Sequence, residues 1–187
     1  MSELTNYDKF IQQALKYGFS LFGTPKTGQT ISYRTGDDGN LQKGYPKTGA
    51  RFTDNDDGTI TDNATGLMWV KDPEAIGGIW ESAGEPVSVV WDDAIDNCNA
   101  LDYANFSDWR LPNSHELYSI IAPNKADPSI EETYFPNTVS TWYWASTTGG
   151  RFDVNKTKVD FNIGSVAEAN KTALNYVRPV RLGIPSD

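Results

Sequence analysis

Residues 107–121, SDWRLPNSHELYSII, form the stretch that decides how this chain of 187 residues folds. The stretch holds the only histidine, His115, next to Glu116, a pair that suits either a catalytic segment or the start of a helix. Asn113 can cap a helix, and Glu116 three residues later completes a capping box by returning to the N–H of the cap. The predicted helix stops at Pro123. Its buried face consists of Leu117, Ile120 and Ile121.

The neighbours of His115 do not match the catalytic arrangements that a histidine usually serves. A zinc-protease helix needs a second histidine four residues after the first, and Ser119 stands at that position. A Ser–His–Asp or Cys–His arrangement would need His115 as its base, and no Ser or Cys sits in a nucleophile-elbow context. We therefore expect a surface position for His115 and a structural role for the segment. The competing hypothesis is a divergent enzyme with a deep pocket around Arg110, His115 and Glu116.

The charge and hydropathy of the chain argue against nucleic-acid partners and against membrane insertion. The formal net charge is −9 and the pI is about 4.6, so the surface repels phosphate backbones and anionic lipid. We therefore expect no nucleic-acid partner. We also expect no membrane insertion, because no segment approaches the ~20 apolar residues that cross a bilayer. Residues 1–13 lack the basic start and apolar run of a signal peptide, and composition alone assigns no compartment.

The first 26 residues form a segment distinct from the rest. Apolar residues at helical spacing predict a short helix over residues 5–18, and the Gly- and Thr-rich stretch at 23–33 can act as a linker. The apolar stripe packs either on its own domain or on other copies of the chain, which would make a homo-oligomer. We divide the chain into an N-terminal helical segment and linker at 1–26 and one domain at 27–187.

The remaining pattern predicts an α+β domain with many turns. The clearest helix covers residues 89–101, where one apolar stripe includes Cys98 as a small buried hydrophobe. The Asp-Gly dipeptides at 38–39 and 57–58 are typical of hairpin turns, because glycine takes positive φ at little cost. β-rich or alternating patterns predict strands at 59–61, 67–70, 142–144, 158–161 and 176–181.

A cluster of aspartates next to Gly58 could bind a calcium ion, because calcium prefers hard oxygen ligands on a loop. Aligning Gly58 with the glycine of an EF-hand loop puts Thr53 at the first ligand and Ala64 where a Glu is required, so that pattern fails. We favour ordinary hairpin turns; irregular binding of a structural calcium is the alternative. The aspartates concerned are Asp54, Asp56 and Asp57. We expect no other cofactor, since the chain has no Gly-rich phosphate loop, dinucleotide fingerprint or paired-Cys metal site.

Five stretches occur in an order that resembles a known bacterial family. They are FTDNDDGTITDNATGLMWVKD (52–72), VVWDDAIDNCNAL (89–101), DWRLPNSHELYSII (108–121), FPNT followed by WYWASTT (135–148), and NYVRPVRLG (175–183). The stretch TGQTISYRTGDDGNLQKG (27–44) is similar to the lead-in often found before them. Together they resemble the Lcl C-terminal domain family, found at the ends of bacterial collagen-like adhesins and in other bacterial and phage proteins. The resemblance covers residues 27–183.

This resemblance implies a C-type lectin-like fold, with two main helices and a mostly antiparallel twisted sheet that brings the chain ends together. It also implies distant kinship with formylglycine-generating enzymes, whose activity needs a C-terminal pair of cysteines. The chain has no cysteine after Cys98, so we expect no enzyme of that kind. The Glu-Pro-Asn, Gln-Pro-Asp and Trp-Asn-Asp tripeptides of calcium-dependent sugar-binding lectins are also absent.

Residues 158–181, KVDFNIGSVAEANKTALNYVRPVR, resemble the variable region of proteins that retroelements diversify, in which a fixed frame alternates with Asn-derived positions. The frame is matched by Phe161, Gly164, Val166, Lys171 and residues 177–181. The positions that vary in such proteins are here Asn162, Ile163, Ser165, Ala167, Ala169, Asn170, Thr172, Ala173, Leu174 and Asn175. Glu168 is less readily explained as a change from an Asn codon, so this position fits the pattern less well.

The resemblance thus implies a non-enzymatic ligand-binding module whose C-terminal segment forms the contact surface. We expect a protein or carbohydrate ligand on a cell or phage surface, recognised without covalent chemistry. A surface adhesin or a structural oligomerisation module is the alternative. We expect such a module to act outside the cell, on its surface or on a virion. The expected contact residues are Trp142, Arg151, Phe152, Asp153, Asn155, Asn162, Ile163, Ser165, Ala167, Ala169, Asn170, Thr172, Leu174, Asn175 and Tyr176.

Overall fold

Nine short strands and a few helices make up the described part of the chain, which confirms the predicted α+β class. The computed structural model describes residues 26–44, 50–77, 80–82, 85–149 and 154–183. The helices are α1 (Asp38–Leu41), α2 (Trp91–Asn99) and α3 (Ser114–Ser119), with a 3-10 turn at Glu74–Ile76. The helix predicted over residues 5–18 lies outside the described residues.

The strands form antiparallel sheets. In chain order they are β1 (Phe52–Asp54), β2 (Thr59–Asp62), β3 (Leu67–Val70), β4 (Glu81–Ser82), β5 (Glu85–Pro86), β6 (Trp142–Thr148), β7 (Asn155–Asp160), β8 (Ser165–Asn170) and β9 (Val180–Leu182). One sheet has the order β1-β2-β3-β9, a second has the order β6-β7-β8, and β4 pairs with β5. Because β9 pairs with β3, the C-terminal strand returns to the sheet that the first strands built.

The hairpin predicted at 57–58 is confirmed. β1 and β2 pair around it with Asp54 opposite Ile60, and Gly58 takes a φ of 89°, which glycine adopts without strain. The next strand, β3, is buried along its whole length, as expected for an apolar run held between β2 and β9.

The hairpin predicted at 38–39 is wrong. The dipeptide lies in α1, because the carboxylate of Asp37 accepts a hydrogen bond from the N–H of Asn40 and so caps a helical turn. The same carboxylate accepts the N–H of Tyr33 at 2.6 Å and folds the preceding chain back on the turn. A side chain that satisfies these donors favours a capped turn over a strand pair.

Two buried clusters lie on opposite sides of β6. Neighbouring residues of a strand point to opposite faces, so Tyr143 joins the cluster of α3 while Trp144 joins the cluster of α2. The α2 cluster also contains Cys98, which is fully buried as predicted. The α3 cluster contains Leu117 at 0% exposure. We call the two faces of the sheet β6-β7-β8 the α2 side and the α3 side.

Candidate ligand-binding surface

The sheet β6-β7-β8 brings part of the expected contact surface together. Directly paired residues of antiparallel strands share a face, and Trp144, Lys158 and Ala167 are paired in this way. Trp144 points to the α2 side, so Lys158 and Ala167 do so too. The pairing of Trp142 with Asp160, and of Asp160 with Ser165, adds a parallel row two residues along. Strand alternation therefore gathers these side chains on one side.

Four of these side chains are partly exposed and form what we call the strand patch: Trp142, Lys158, Ser165 and Ala167. The Lys158 ammonium lies 4.1 Å from the centroid of the Trp142 ring, a cation–π contact. Tyr143, the neighbour of Trp142, is only 2% exposed and belongs to the core. Of the two aromatic residues, Trp142 is thus the one that can meet a ligand.

Next to the strand patch, on the same α2 side of the sheet, helix α2 covers the strands near Lys156 and Ala169. The Lys156 ammonium lies 4.6 Å above the ring of Trp91, and Lys156 is 6% exposed. The indole N–H of Trp91 donates a 2.8 Å hydrogen bond to the carbonyl of Ala145, which fixes the ring in place. Ala169 pairs with Lys156 and packs against this cluster. Ala169 therefore lies at the border between the strand patch and the core.

Two expected contact residues point away from the strand patch. Asn155 and Asn170 are paired with each other and lie on the α3 side of β7 and β8. Glu168 lies on that side as well, and its carboxylate approaches Gly149 so closely that a Cβ on this glycine would meet it at 2.7 Å. Asn170 is exposed and Asn155 is half-buried, but neither shares a face with Trp142.

The turns at the two ends of β8 carry further expected contact residues. Ile163, before the strand, is 67% exposed, and Leu174, after it, is 65% exposed. Thr172 is exposed but donates its N–H and hydroxyl to the side-chain oxygen of Asn170, both at 3.0 Å. The Asn162 amide donates to the hydroxyl of Ser140 at 3.0 Å and so ties the first turn to the loop that leads into β6.

The last expected contact residues are part of the scaffold or lie outside the described residues. Asn175 is 5% exposed and exchanges backbone hydrogen bonds of 3.0 and 3.1 Å with Val89, so the expected contact role of Asn175 does not fit this position. Tyr176 is half-buried and stacks near Tyr143, with 5.6 Å between the ring centroids. Residues 151–153, which are Arg151, Phe152 and Asp153, lie outside the described residues.

A buried arginine fastens the chain that follows the strand patch. Arg178 is 0% exposed and donates to the carbonyls of Val70 and Lys71, at 2.9 and 2.6 Å, and to the hydroxyl of Thr138 at 2.8 Å. Burial lowers the pKa of Arg178 from its ordinary value. These bonds connect the segment after β8 to β3, so the patch rests on a fixed support.

The segment 107–121 builds a capped helix start, as predicted. Asn113 accepts the N–H of Glu116 at 2.9 Å, and Glu116 accepts the N–H of Asn113 at 2.8 Å. Arg110 also holds Glu116, through two hydrogen bonds of 2.6 and 2.7 Å. Burial alone would raise the pKa of Glu116, but the bonds from Arg110 and Asn113 outweigh it and lower this pKa. His115 is exposed, also as predicted.

A cavity of about 290 Å³ lies at the C-terminal end of α3 rather than beside His115. Arg51 and Glu131 are its charged lining residues, and neither Arg110 nor Glu116 contributes to it. This cavity is therefore not the deep pocket that the enzyme hypothesis places around the helix start.

The aspartates considered for calcium are engaged in their own turn. Asp54 accepts a 2.5 Å hydrogen bond from Lys71, and this contact lowers the pKa of Asp54. Asp57 accepts both the N–H and the hydroxyl of Thr59. Within the described ranges, no group of three or more His, Cys, Asp or Glu residues is placed to hold a metal ion. In the same ranges, no helix has the length and apolar character to cross a bilayer.

Lys158 is the member of the strand patch that sequence reasoning missed. A signal was present, because Lys156, Lys158 and Asp160 alternate with Thr157 and Val159 at the period of a strand. That alternation predicts one polar face, but it does not reveal that Trp142 lies across the strand pair.

Comparison with known proteins gives one family. No curated protein matches the chain. A family model of the Lcl C-terminal domain matches residues 58–181, about two thirds of the chain. The match runs from the turn before β2 into β9, and it includes α2, α3 and the whole strand patch. The chain belongs to the Lcl C-terminal domain family.

Proposed function

We propose that this domain is a non-enzymatic binding module that presents the strand patch to a protein or glycan ligand. The observation that carries the proposal is the placement of two small residues, Ser165 and Ala167, beside Trp142 and Lys158 on one partly exposed side of a sheet. Small side chains leave room for a ligand, while an aromatic ring and a cation supply contact energy.

The contrast between frame and contact positions supports this proposal. Phe161 is fully buried, and Gly164 takes a φ of 73° where a Cβ would meet Ile121 at 2.9 Å. Ile163, between them, is largely exposed. A binding surface that tolerates change needs contact residues that contribute little to the core, on a support that does not move.

We further propose that the domain has a C-type lectin-like fold and that retroelements diversify its C-terminal segment. The return of β9 to β3, with α2 and α3 between the two larger sheets in sequence, supports the fold. Ser165 and Ala167, two of the positions that vary in such proteins, lie on one side of β8, and the frame residue Val166 lies on the other, which supports diversification, since one face can vary without altering the other. An adenine-mutated near-repeat and a reverse transcriptase beside the gene would support diversification; a locus with neither would contradict it.

The test of the proposed function compares the two sides of one strand. The chain is screened on a glycan array and a panel of bacterial surface proteins, and every hit is measured with two double variants. Ser165→Gln with Ala167→Gln alters the strand patch. Val166→Gln with Glu168→Gln is the matched control, because it changes the α3 side of the same strand.

We expect the patch variant to weaken binding at least about tenfold and the control to change it less than about twofold, because one lost contact of about 1.4 kcal/mol is a tenfold change. Both variants should melt within about 3 °C of the natural chain, since surface changes stay within about 0.5 kcal/mol. Equal losses in both variants, or no binding to either panel, would contradict the proposal.

A further inference from the structure

We infer that the ligand is a protein that places a carboxylate against the Lys158 ammonium and the Trp142 indole N–H. This inference rests on the proposed function, because both residues belong to the strand patch. It narrows the ligand from protein or glycan to an acidic site on a protein.

The charge of Lys158 has no anionic partner within the described residues, where its contact is the Trp142 ring. The acid nearest along the strand on the same side, Asp160, uses its carboxylate to accept the N–H of Asn162 at 2.8 Å. Lys171, by comparison, is paired with Asp92 at 2.8 Å. Lys158 is half-buried, and its cation–π contact leaves the charge without a counter-ion among the described residues. A partner carboxylate would supply one.

The indole N–H of Trp142 is the second open donor. Three other tryptophans use this group on backbone carbonyls: Trp91 on Ala145, Trp109 on Tyr103 and Trp144 on Val89. The N–H of Trp69 has no partner among the described residues either, but it is buried in the core and out of reach of a ligand. The Trp142 N–H meets no acceptor in the part of the chain that the structure describes. Buried indole N–H groups usually find a partner, so one left free on a partly exposed ring is suited to an incoming acceptor.

The two donors together select a carboxylate. An ammonium and an N–H both donate hydrogen bonds and accept none, so they suit a group with two acceptor oxygens. Hydrogen bonds in which donor or acceptor is charged are roughly twice as strong as neutral ones. The chain has a net charge of −9, so its surface as a whole repels an acid, and a cation that does attract one helps to fix the orientation of the partner.

The surroundings favour a protein over an acidic glycan. Two large apolar side chains, in the turns at the two ends of β8, are exposed to 67 and 65%: Ile163 and Leu174. Apolar and aromatic contacts beside a few charged pairs are typical of protein interfaces. The hydroxyl groups of a glycan would gain little from such side chains.

The test uses a random 12-residue peptide library displayed on phage as the probe. Selection is run on the natural chain, on Lys158→Gln and on Lys125→Gln. Lys125 is the control, because it is an exposed lysine outside the strand patch that pairs with Glu131. We expect peptides from the natural chain and from the control to be enriched in Asp or Glu, and peptides from Lys158→Gln to lose that enrichment.

The best peptide is then synthesised with its acid intact and with the matching amide. We expect Lys158→Gln to weaken binding of the acidic peptide about tenfold or more, and Trp142→Phe to weaken this binding less. Binding of the amide peptide should be insensitive to Lys158→Gln. Peptides that bind the patch without any acidic preference would overturn the inference. So would binding of polygalacturonate at the patch without binding of acidic peptides, which would assign the site to an acidic glycan.

The proposed function and this inference fail in different ways. If peptides and panel ligands bind equally well to the Ser165→Gln, Ala167→Gln variant, the strand patch is not the contact surface and both fail. If that variant loses binding while Lys158→Gln keeps both affinity and acidic preference, the surface stands and the carboxylate inference alone is wrong.

Discussion

Phe161 and Ile163 lie two residues apart in the turn between β7 and β8 and offer a matched test of how this segment divides into frame and surface. Phe161 is 0% exposed and meets the ring of Tyr143 edge-on at 4.8 Å. Truncation of such a phenylalanine to alanine costs about 3–5 kcal/mol. Ile163 is 67% exposed. Since full burial of an isoleucine is worth about 1.5–3 kcal/mol, its buried third contributes about 0.5–1 kcal/mol.

For a chain of this size, each kcal/mol moves Tm by about 2–4 °C. We therefore expect Phe161→Ala to lower Tm by about 6–20 °C and Ile163→Ala by no more than about 4 °C. Urea denaturation followed by tryptophan fluorescence, with calorimetry on the same samples, measures both. A loss of more than about 3 kcal/mol for Ile163→Ala would place this residue in the core and would refute the division. Equal, small losses in both variants would refute the packing of Phe161.

Three further predictions concern the scaffold. Asn113→Ala removes the cap of α3 and should cost about 1 kcal/mol in urea denaturation. The pKa of Glu116 is lowered in the folded chain, so its stabilising effect is complete above the ordinary glutamate pKa of 4.5 and is lost as pH falls through the lowered value. Calorimetric scans between about pH 6 and pH 3 should therefore show a shallower fall of Tm in Glu116→Gln than in the natural chain. Burial raises the pKa of the Cys98 thiol, so a thiol reagent at neutral pH should modify it only after unfolding; rapid labelling of the folded chain would contradict this.

The parts of the fold that sequence predicts well are those set by residues close together in the chain. The capping box of α3 needs only Asn113 and Glu116, three residues apart, and its geometry is as expected. The stripe of α2 likewise follows from helical periodicity, and Cys98 is buried with it. The predicted end of α3 at Pro123 is less accurate, because the helix ends at Ser119, whose hydroxyl bonds to the carbonyl of Glu116.

The candidate site was harder to predict, since pairing across strands decides it. The expected contact residues follow from positions in a linear pattern, but Ala167 of β8 points to the α2 side and Asn170 to the α3 side. The same pattern predicts a contact role for Asn175, which is buried by its pairing with Val89, a residue distant in sequence. The pattern does not indicate Lys158, because its contact with Trp142 joins two strands.

The same geometry limits how far the surface can change. Ser165 and Ala167 stand where the α2 side is partly open, so larger side chains there would extend the contact surface without displacing the core. Ala169 continues their row but packs against the cluster that holds Trp91. A larger residue at 169 would have to displace that ring, which is held by its bond to Ala145, and overpacking of this kind costs about 1–3 kcal/mol. On the α2 side of β8, the tolerance for larger side chains therefore ends at Ala169, because its neighbours there belong to the core.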